Sequence, residues 1–137
     1  MKGYRIAFIR HGMTQANLDG RYIGTTDLPL CREGADQLYE KIEKYDYPSV
    51  QKVYTSPLKR CKQTMSILQP NRLVAEMPEL REMDFGKFEN KTADELMNDP
   101  DYEQFIKGGL DNPPPNGEST REVINRCYEA LNIIISD

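Results

Sequence analysis

Ile6-Ala7-Phe8-Ile9-Arg10-His11-Gly12-Met13-Thr14 decides the reading of this chain, because an apolar run ends abruptly at its one histidine, flanked by an arginine and a glycine. Tyr4 to Ile9 is a short, almost unbroken apolar run with β-prone side chains, which predicts a central strand covered on both faces of an α/β sheet. Arg10 and His11 then stand at its carboxyl end. Ligands of open α/β sheets bind in the crevice outside those ends, so a guanidinium beside an imidazole there suits an anionic substrate. Gly12 lets the backbone turn and approach that substrate closely.

Outward from this stretch, Gly12 to Leu30 is a polar, glycine-punctuated loop, long enough to be a binding loop rather than a connector. Helical spacing resumes at Glu33, with Ala35, Leu38, Ile42 and Tyr45 on one apolar face and Pro48 barring continuation. Lys52 to Thr55 reads as a second strand. Ser56-Pro57 reads as the N-cap and first-turn proline of a helix that buries Leu58, Cys61, Met65 and Leu68 and carries Arg60 in its first turn. Leu73 to Glu76 is a third strand, and Pro78 opens an irregular passage to Asn90. Thr92 with Glu95 forms a capping box. Pro100 separates that helix from another near Tyr102 to Lys107, ended by Gly108-Gly109. After the stiff run Asn112-Pro113-Pro114-Pro115-Asn116-Gly117, Ser119 with Glu122 caps a last helix, whose Val123, Cys127, Leu131 and Ile134 or Ile135 predict an apolar docking face. The order strand, helix, strand, helix, strand, helices predicts one layered α/β domain over residues 1–137.

The charge balance narrows the partners. A net charge of -4 without a basic stripe argues against nucleic acid, so the basic residues act locally. Cys31, Cys61 and Cys127 are widely spaced and odd in number, which suggests neither a disulfide framework nor a zinc site. With no signal-peptide pattern and no run of transmembrane length, a cytoplasmic protein away from the membrane is expected.

Two arginines carry the chemical argument. Arg60 in Ser56-Pro57-Leu58-Lys59-Arg60 lies just beyond another strand end, and two guanidinium forks converging from parallel strands suit a dianionic phosphate better than lysines would. Glu82 in Leu80-Arg81-Glu82-Met83-Asp84-Phe85-Gly86 lies in a passage without periodicity, where a carboxylate serves as a general acid or is simply solvated.

From Ile6 to Arg126 the chain resembles the histidine phosphatase superfamily, with its phosphoglycerate mutase-like fold. Five separated motifs carry the resemblance in order. These are Arg10-His11-Gly12 with Thr14 and Asn17; Gly24-Thr25-Thr26-Asp27-Leu28-Pro29-Leu30 with Gly34; Ser56-Pro57-Leu58 with Arg60 and Thr64; Leu80 and Glu82 with Gly86; and Gly117-Glu118-Ser119 with Arg126. The resemblance implies a three-layer α/β/α domain in which His11 attacks phosphorus, Arg10 and Arg60 hold the phosphoryl oxygens, and Glu82 protonates the leaving oxygen. Thr14, Asn17, Tyr22 and Gly24 would bind substrate. No metal or other cofactor is implied, since a loose phosphoryl-transfer transition state mainly needs an in-line nucleophile and fixed positive charge.

The passage Phe85 to Thr92 and the modest insert up to Gly117 look most like the α-ribazole phosphatase branch. The expected activity is therefore hydrolysis of a small phosphoester, α-ribazole 5'-phosphate or a sugar phosphate, rather than mutase chemistry, for which that insert is short. Tyr22, Phe88 and the helices from Thr92 to Leu110 are expected to cover the pocket entrance. Cys31 departs from the family, where threonine or serine caps the following helix, so a weaker helix start is expected. The family also continues into a strand bearing a second histidine, between the Ile6 to Ile9 and Val53 to Thr55 strands. A chain ending at Asp137 is read as C-terminally truncated and incomplete in its sheet. Two expectations follow: a phosphate-binding remnant without turnover as the alternative function, and self-association through the opened sheet.

Overall fold

The computed structural model describes residues 1–137. In chain order it contains α1 (Gln15–Leu18), α2 (Arg32–Lys44), β1 (Val53–Thr55), α3 (Lys59–Leu68), β2 (Val74–Glu76), α4 (Ala93–Leu96), α5 (Pro100–Lys107) and α6 (Thr120–Ser136). Single 3-10 turns at Pro78–Leu80 and Gly86–Phe88 interrupt the passage between β2 and α4. β1 and β2 pair in parallel, Val53 opposite Val74 and Thr55 opposite Glu76, and α3 makes the crossover between them. α3 packs against both α2 and β1, while α6 packs against the Pro78–Leu80 turn. The α/β class holds, and no helix is long and apolar enough to cross a membrane.

The expected central strand at Tyr4 to Ile9 is not formed. Residues 1–11 make no backbone–backbone hydrogen bond, and Phe8 is 87% exposed. The apolar pattern is that of a strand buried on two faces, but a strand exists only where a neighbouring edge completes its ladder. Here the edge of β1 stands across an open cleft lined by both segments.

Local signals predict the helix starts better than the buried faces. The capping boxes Thr92–Glu95 and Ser119–Glu122 are both present, and a third, Thr14–Asn17, starts α1. Cys31 does cap α2: its Sγ accepts from Gly34 N at 3.3 Å. Ser56 does not cap α3. Leu58 is the N-cap residue, without a side-chain cap of its own, and the Asp27 carboxylate reaches over to accept from Lys59 N at 2.7 Å.

On α2 only Leu38 of the predicted apolar residues is fully buried, and Ile42 and Tyr45 are exposed. On α3 the buried residues are Arg60, Thr64 and Leu68: Leu68 is buried as expected, whereas Arg60 and Thr64 take the places expected for Cys61 and Met65, which turn to the cleft. On α6 they are Arg126 and Ala130, and Cys127 is exposed. On α3 and α6 a polar residue with internal hydrogen bonds takes a place that hydrophobicity alone would have given to a neighbour.

The buried hydrophobic cluster around α4 and α5 is mainly aromatic. Phe88, Leu96 and Tyr102 are buried together, with Tyr22, Phe85 and Phe105 packed on them. Phe88 meets Tyr102 edge-on at 5.4 Å between ring centroids, and Tyr22 meets Phe85 at 5.2 Å, favourable aromatic geometries. Phe88 is therefore a core residue that holds α4 and α5 in place, and the expectation that it covers the pocket entrance is corrected by its complete burial.

Candidate functional site

His11 follows the unpaired run at the point where the chain first becomes tied to the rest of the fold. Gly12 N donates to Thr64 Oγ1 at 2.9 Å, and that hydroxyl donates on to the Arg60 carbonyl at 2.7 Å. One buried threonine thus fixes the backbone beside His11 against the helix that carries Arg60. The imidazole Nδ1 lies 2.6 Å from the Gly12 carbonyl oxygen. A carbonyl can only accept, so Nδ1 carries the proton and Nε2 keeps its lone pair free.

Burial is the main effect holding the His11 pKa below its ordinary 6.5; the positive charges of Arg60 and Arg10 add to it, opposed by the Gly12 hydrogen bond and the Glu82 charge. A neutral imidazole at physiological pH is the nucleophilic form. The depressed pKa also links to folding, because the unfolded chain takes the proton more readily. The stability that neutral His11 contributes is complete above pH about 6.5 and is lost as pH falls towards its folded-state pKa.

Arg60 is the buried cation of the site, 1% exposed. Its Nη1 donates to Thr26 O at 3.0 Å and its Nη2 to Gly24 O at 2.8 Å, leaving three of its five N–H groups for another acceptor. From the other side the Glu89 carboxylate accepts from Gly24 N at 2.6 Å and Thr26 N at 3.0 Å. The Gly24–Thr26 strap is held between a cation on its carbonyls and an anion on its amides. A side chain at Gly24 would collide with the Met83 carbonyl, so this strap and the Glu82 passage approach as only glycine allows.

Glu82 is exposed, and its carboxylate accepts from Met83 N at 2.9 Å. Its backbone is set by Arg126, whose guanidinium grips Glu118 with Nε and Nη2 at 2.8 and 2.7 Å. The same group donates to the carbonyls of Glu79, Arg81 and Glu82 at 2.8, 2.7 and 3.1 Å. The Arg126 hydrogen bonds hold the Glu118 carboxyl below its ordinary range.

The structure therefore gathers four of the sequence-derived candidates, His11, Arg10, Arg60 and Glu82, in one electrostatic neighbourhood. Of the expected substrate contacts, Asn17 uses its side-chain oxygen on Thr14 N and leaves its amide NH2 group available. Thr14 is fully buried as the cap of α1, and both backbone groups of Gly24 are engaged by Glu89 and Arg60. The Tyr22 hydroxyl is 2.7 Å from that of Tyr102, and burial followed by this hydrogen bond pushes its pKa up to about 12. These three have internal partners, which sets them to shape the pocket. No group of three or more His, Cys, Asp or Glu side chains is arranged to hold a metal ion.

Glu89 is the residue that sequence reasoning missed. Its partners are 63 and 65 residues away, and the only local hint is an acidic residue in an otherwise aromatic turn, Phe85 to Phe88. Glu89→Ala is expected to cost about 2 to 3 kcal/mol, because two strap amides lose their acceptor. Glu89→Gln keeps one acceptor oxygen and should lose less than half of that. Urea midpoints at constant m-value measure both, and equal losses would show that the acceptor is not the cause.

Comparison with known proteins gives a consistent result. The model of the histidine phosphatase superfamily (branch 1) matches residues 6–137. A probable phosphoglycerate mutase GpmB of Cronobacter sakazakii is 31% identical over 133 residues, covering 93% of this chain and 61% of that protein. The crystal structure of the alpha-ribazole phosphatase from Shigella flexneri superposes with a TM-score of 0.83 at 30% identity, covering 93% of this chain and 65% of that one. A third structure, TTHB049 from Thermus thermophilus, superposes at 0.73 with 31% identity, over 90% and 68% of the two chains. The chain thus spans less than two thirds of the length of the curated relatives it matches.

Proposed function

Because the chain belongs to the histidine phosphatase superfamily, we propose that it acts on a small phosphoester through a phosphohistidine at His11. One observation carries this reading: Nδ1 is tied to the Gly12 carbonyl, so the free lone pair is on Nε2, beside the charges of Arg60 and Arg10. In the proposed step the Nε2 lone pair forms the N–P bond as the P–O bond to the leaving group breaks. Arg10 and the free N–H groups of Arg60 neutralise the phosphoryl oxygens, and Glu82 in its acid form hands a proton to the leaving oxygen. Water then attacks phosphorus and breaks the N–P bond while its proton passes to the Glu82 carboxylate, giving inorganic phosphate and restoring both His11 and the acid form of Glu82.

The finer assignment is hydrolysis of α-ribazole 5'-phosphate. It is supported by the structural neighbour from Shigella flexneri and by the short α4–α5 insert packed on Tyr22. The name of the Cronobacter relative supports mutase chemistry instead. A second reading, phosphate binding without turnover, is favoured by the placement of Glu82, exposed and turned onto its own backbone.

Incubation with labelled phosphoesters followed by a base quench tests these readings. Label is expected on His11 and absent from His11→Ala. Release of inorganic phosphate supports hydrolysis, whereas transfer to a second sugar-acid hydroxyl supports a mutase. Label without release shows transfer that stops at the phosphohistidine, and no label with any phosphoester overturns the nucleophile assignment; phosphate binding by calorimetry without label supports the binding reading.

A further inference from the structure

A single hydroxyl joins the backbone beside His11 to that of Arg60. Thr64 lies in the middle of α3 and is 2% exposed. Its Oγ1 donates to the Arg60 carbonyl at 2.7 Å, which leaves a lone pair to accept from Gly12 N at 2.9 Å, across 52 residues of sequence. Turning the hydroxyl round would break both bonds. One residue further on, the Met13 carbonyl accepts from Cys31 N at 3.0 Å and from Cys31 Sγ at 3.3 Å. Gly12 is therefore pinned through its own N–H on one side and through the next carbonyl on the other. Between these two points stands the Gly12 carbonyl, which takes the Nδ1 proton of His11 at 2.6 Å. The chain before it gives no such support, because residues 1–11 make no backbone–backbone hydrogen bond.

We propose that Thr64 is a positioning residue for the nucleophile: through Gly12 it aims the carbonyl that holds the His11 proton on Nδ1, and so keeps Nε2 unprotonated. The tautomer of an imidazole follows the hydrogen bond that its other nitrogen makes. With the Gly12 peptide loosened, the ring is free to carry its proton on Nε2, where it removes the attacking lone pair. Thr64 also sets the spacing of the two groups that must meet one phosphorus atom, since the same oxygen is bonded to the backbones of residues 12 and 60. Buried as it is, it acts through Gly12 and not on substrate. The kinetic consequence rests on the phosphohistidine reading above, whereas the tautomer does not.

Thr64→Val keeps the branched shape and removes both bonds, whereas Thr64→Ser keeps the hydroxyl. In the full chain labelled with nitrogen-15, the two ring nitrogens of the single histidine report the tautomer directly by NMR. Above the titration midpoint, wild type and Thr64→Ser should carry the proton on Nδ1, and Thr64→Val should show a mixture of both tautomers. With p-nitrophenyl phosphate as donor, the first-turnover rate of labelling His11 should fall about tenfold in Thr64→Val and recover in Thr64→Ser. The Kd for inorganic phosphate, which the Arg60 fork dominates, should change by about twofold or less. Amide exchange of the wild type needs no variant: Gly12 should exchange about tenfold or more slowly than residues 4–9. An unchanged tautomer in folded Thr64→Val overturns the proposal, as does a rate loss matched by an equal loss of phosphate affinity, or an unprotected Gly12 amide. Wild type that takes no label fails the phosphohistidine reading alone, because the tautomer decides the role of Thr64 by itself.

Discussion

Replacing Arg126 by alanine should cost about 3 to 5 kcal/mol of folding stability, the range for breaking a buried ion pair from one side. The guanidinium is buried, and its five hydrogen bonds go to Glu118, Glu79, Arg81 and Glu82, one for each N–H it has to offer. Alanine would leave the Glu118 carboxylate with only the Asp84 amide at 3.2 Å and the more distant Arg81 at 3.5 Å, and would strip donors from three carbonyls. Lysine should recover little, because one ammonium cannot span a carboxylate and three carbonyls on two sides. A urea midpoint shift worth under 1 kcal/mol at constant m-value would show that the passage holds itself without Arg126. Glu82 should feel the loss before the fold does, since Arg126 grips its carbonyl, so any activity should decline under conditions where the variant is still folded.

Arg60→Ala should cost about 2 to 4 kcal/mol and also reset His11. The stability loss follows from two strap carbonyls, Gly24 and Thr26, losing charged donors in a buried setting. The effect on His11 follows from charge. Arg60 helps hold the imidazole pKa down, so removing it should raise the titration midpoint, read from the ring protons of the chain's single histidine by NMR. Arg60→Lys separates the two effects: the midpoint should stay near that of the wild type while most of the stability is still lost, because the ammonium keeps the charge and forfeits the fork. Affinity for inorganic phosphate should fall at least tenfold in both variants. An unchanged midpoint in Arg60→Ala would remove Arg60 from the electrostatics of the nucleophile.

Both residues show where sequence reasoning was strong and where it stopped. The spacing of the five motifs was enough to assign the family, and it put forward His11, Arg10, Arg60 and Glu82 as the candidate site. It did not show that Arg60 also anchors the Gly24–Thr26 strap, or that Arg126 acts on Glu82 through the backbone. Those roles depend on hydrogen bonds between residues 34 to 47 positions apart. The buried places expected for Cys61 and Met65 on α3 and for Cys127 on α6 fall one position earlier for the same reason. Arg60 and Arg126 satisfy their donors inside and take buried places that hydrophobicity gives to Cys61 and Cys127.

The sequence by itself determined the features whose physics is local. Side chains three residues apart cap α4 and α6, periodic residues make the helices, and five motifs in order define a phosphate-handling family. Tertiary structure decided whatever needs a distant partner. Tyr4 to Ile9 has the composition of a central strand and is unpaired, because a strand's hydrogen bonds belong to its neighbour, and composition does not place that neighbour. Glu89 reads as a loop carboxylate in sequence and becomes the anchor of the strap only when the chain brings Gly24 and Thr26 beneath it.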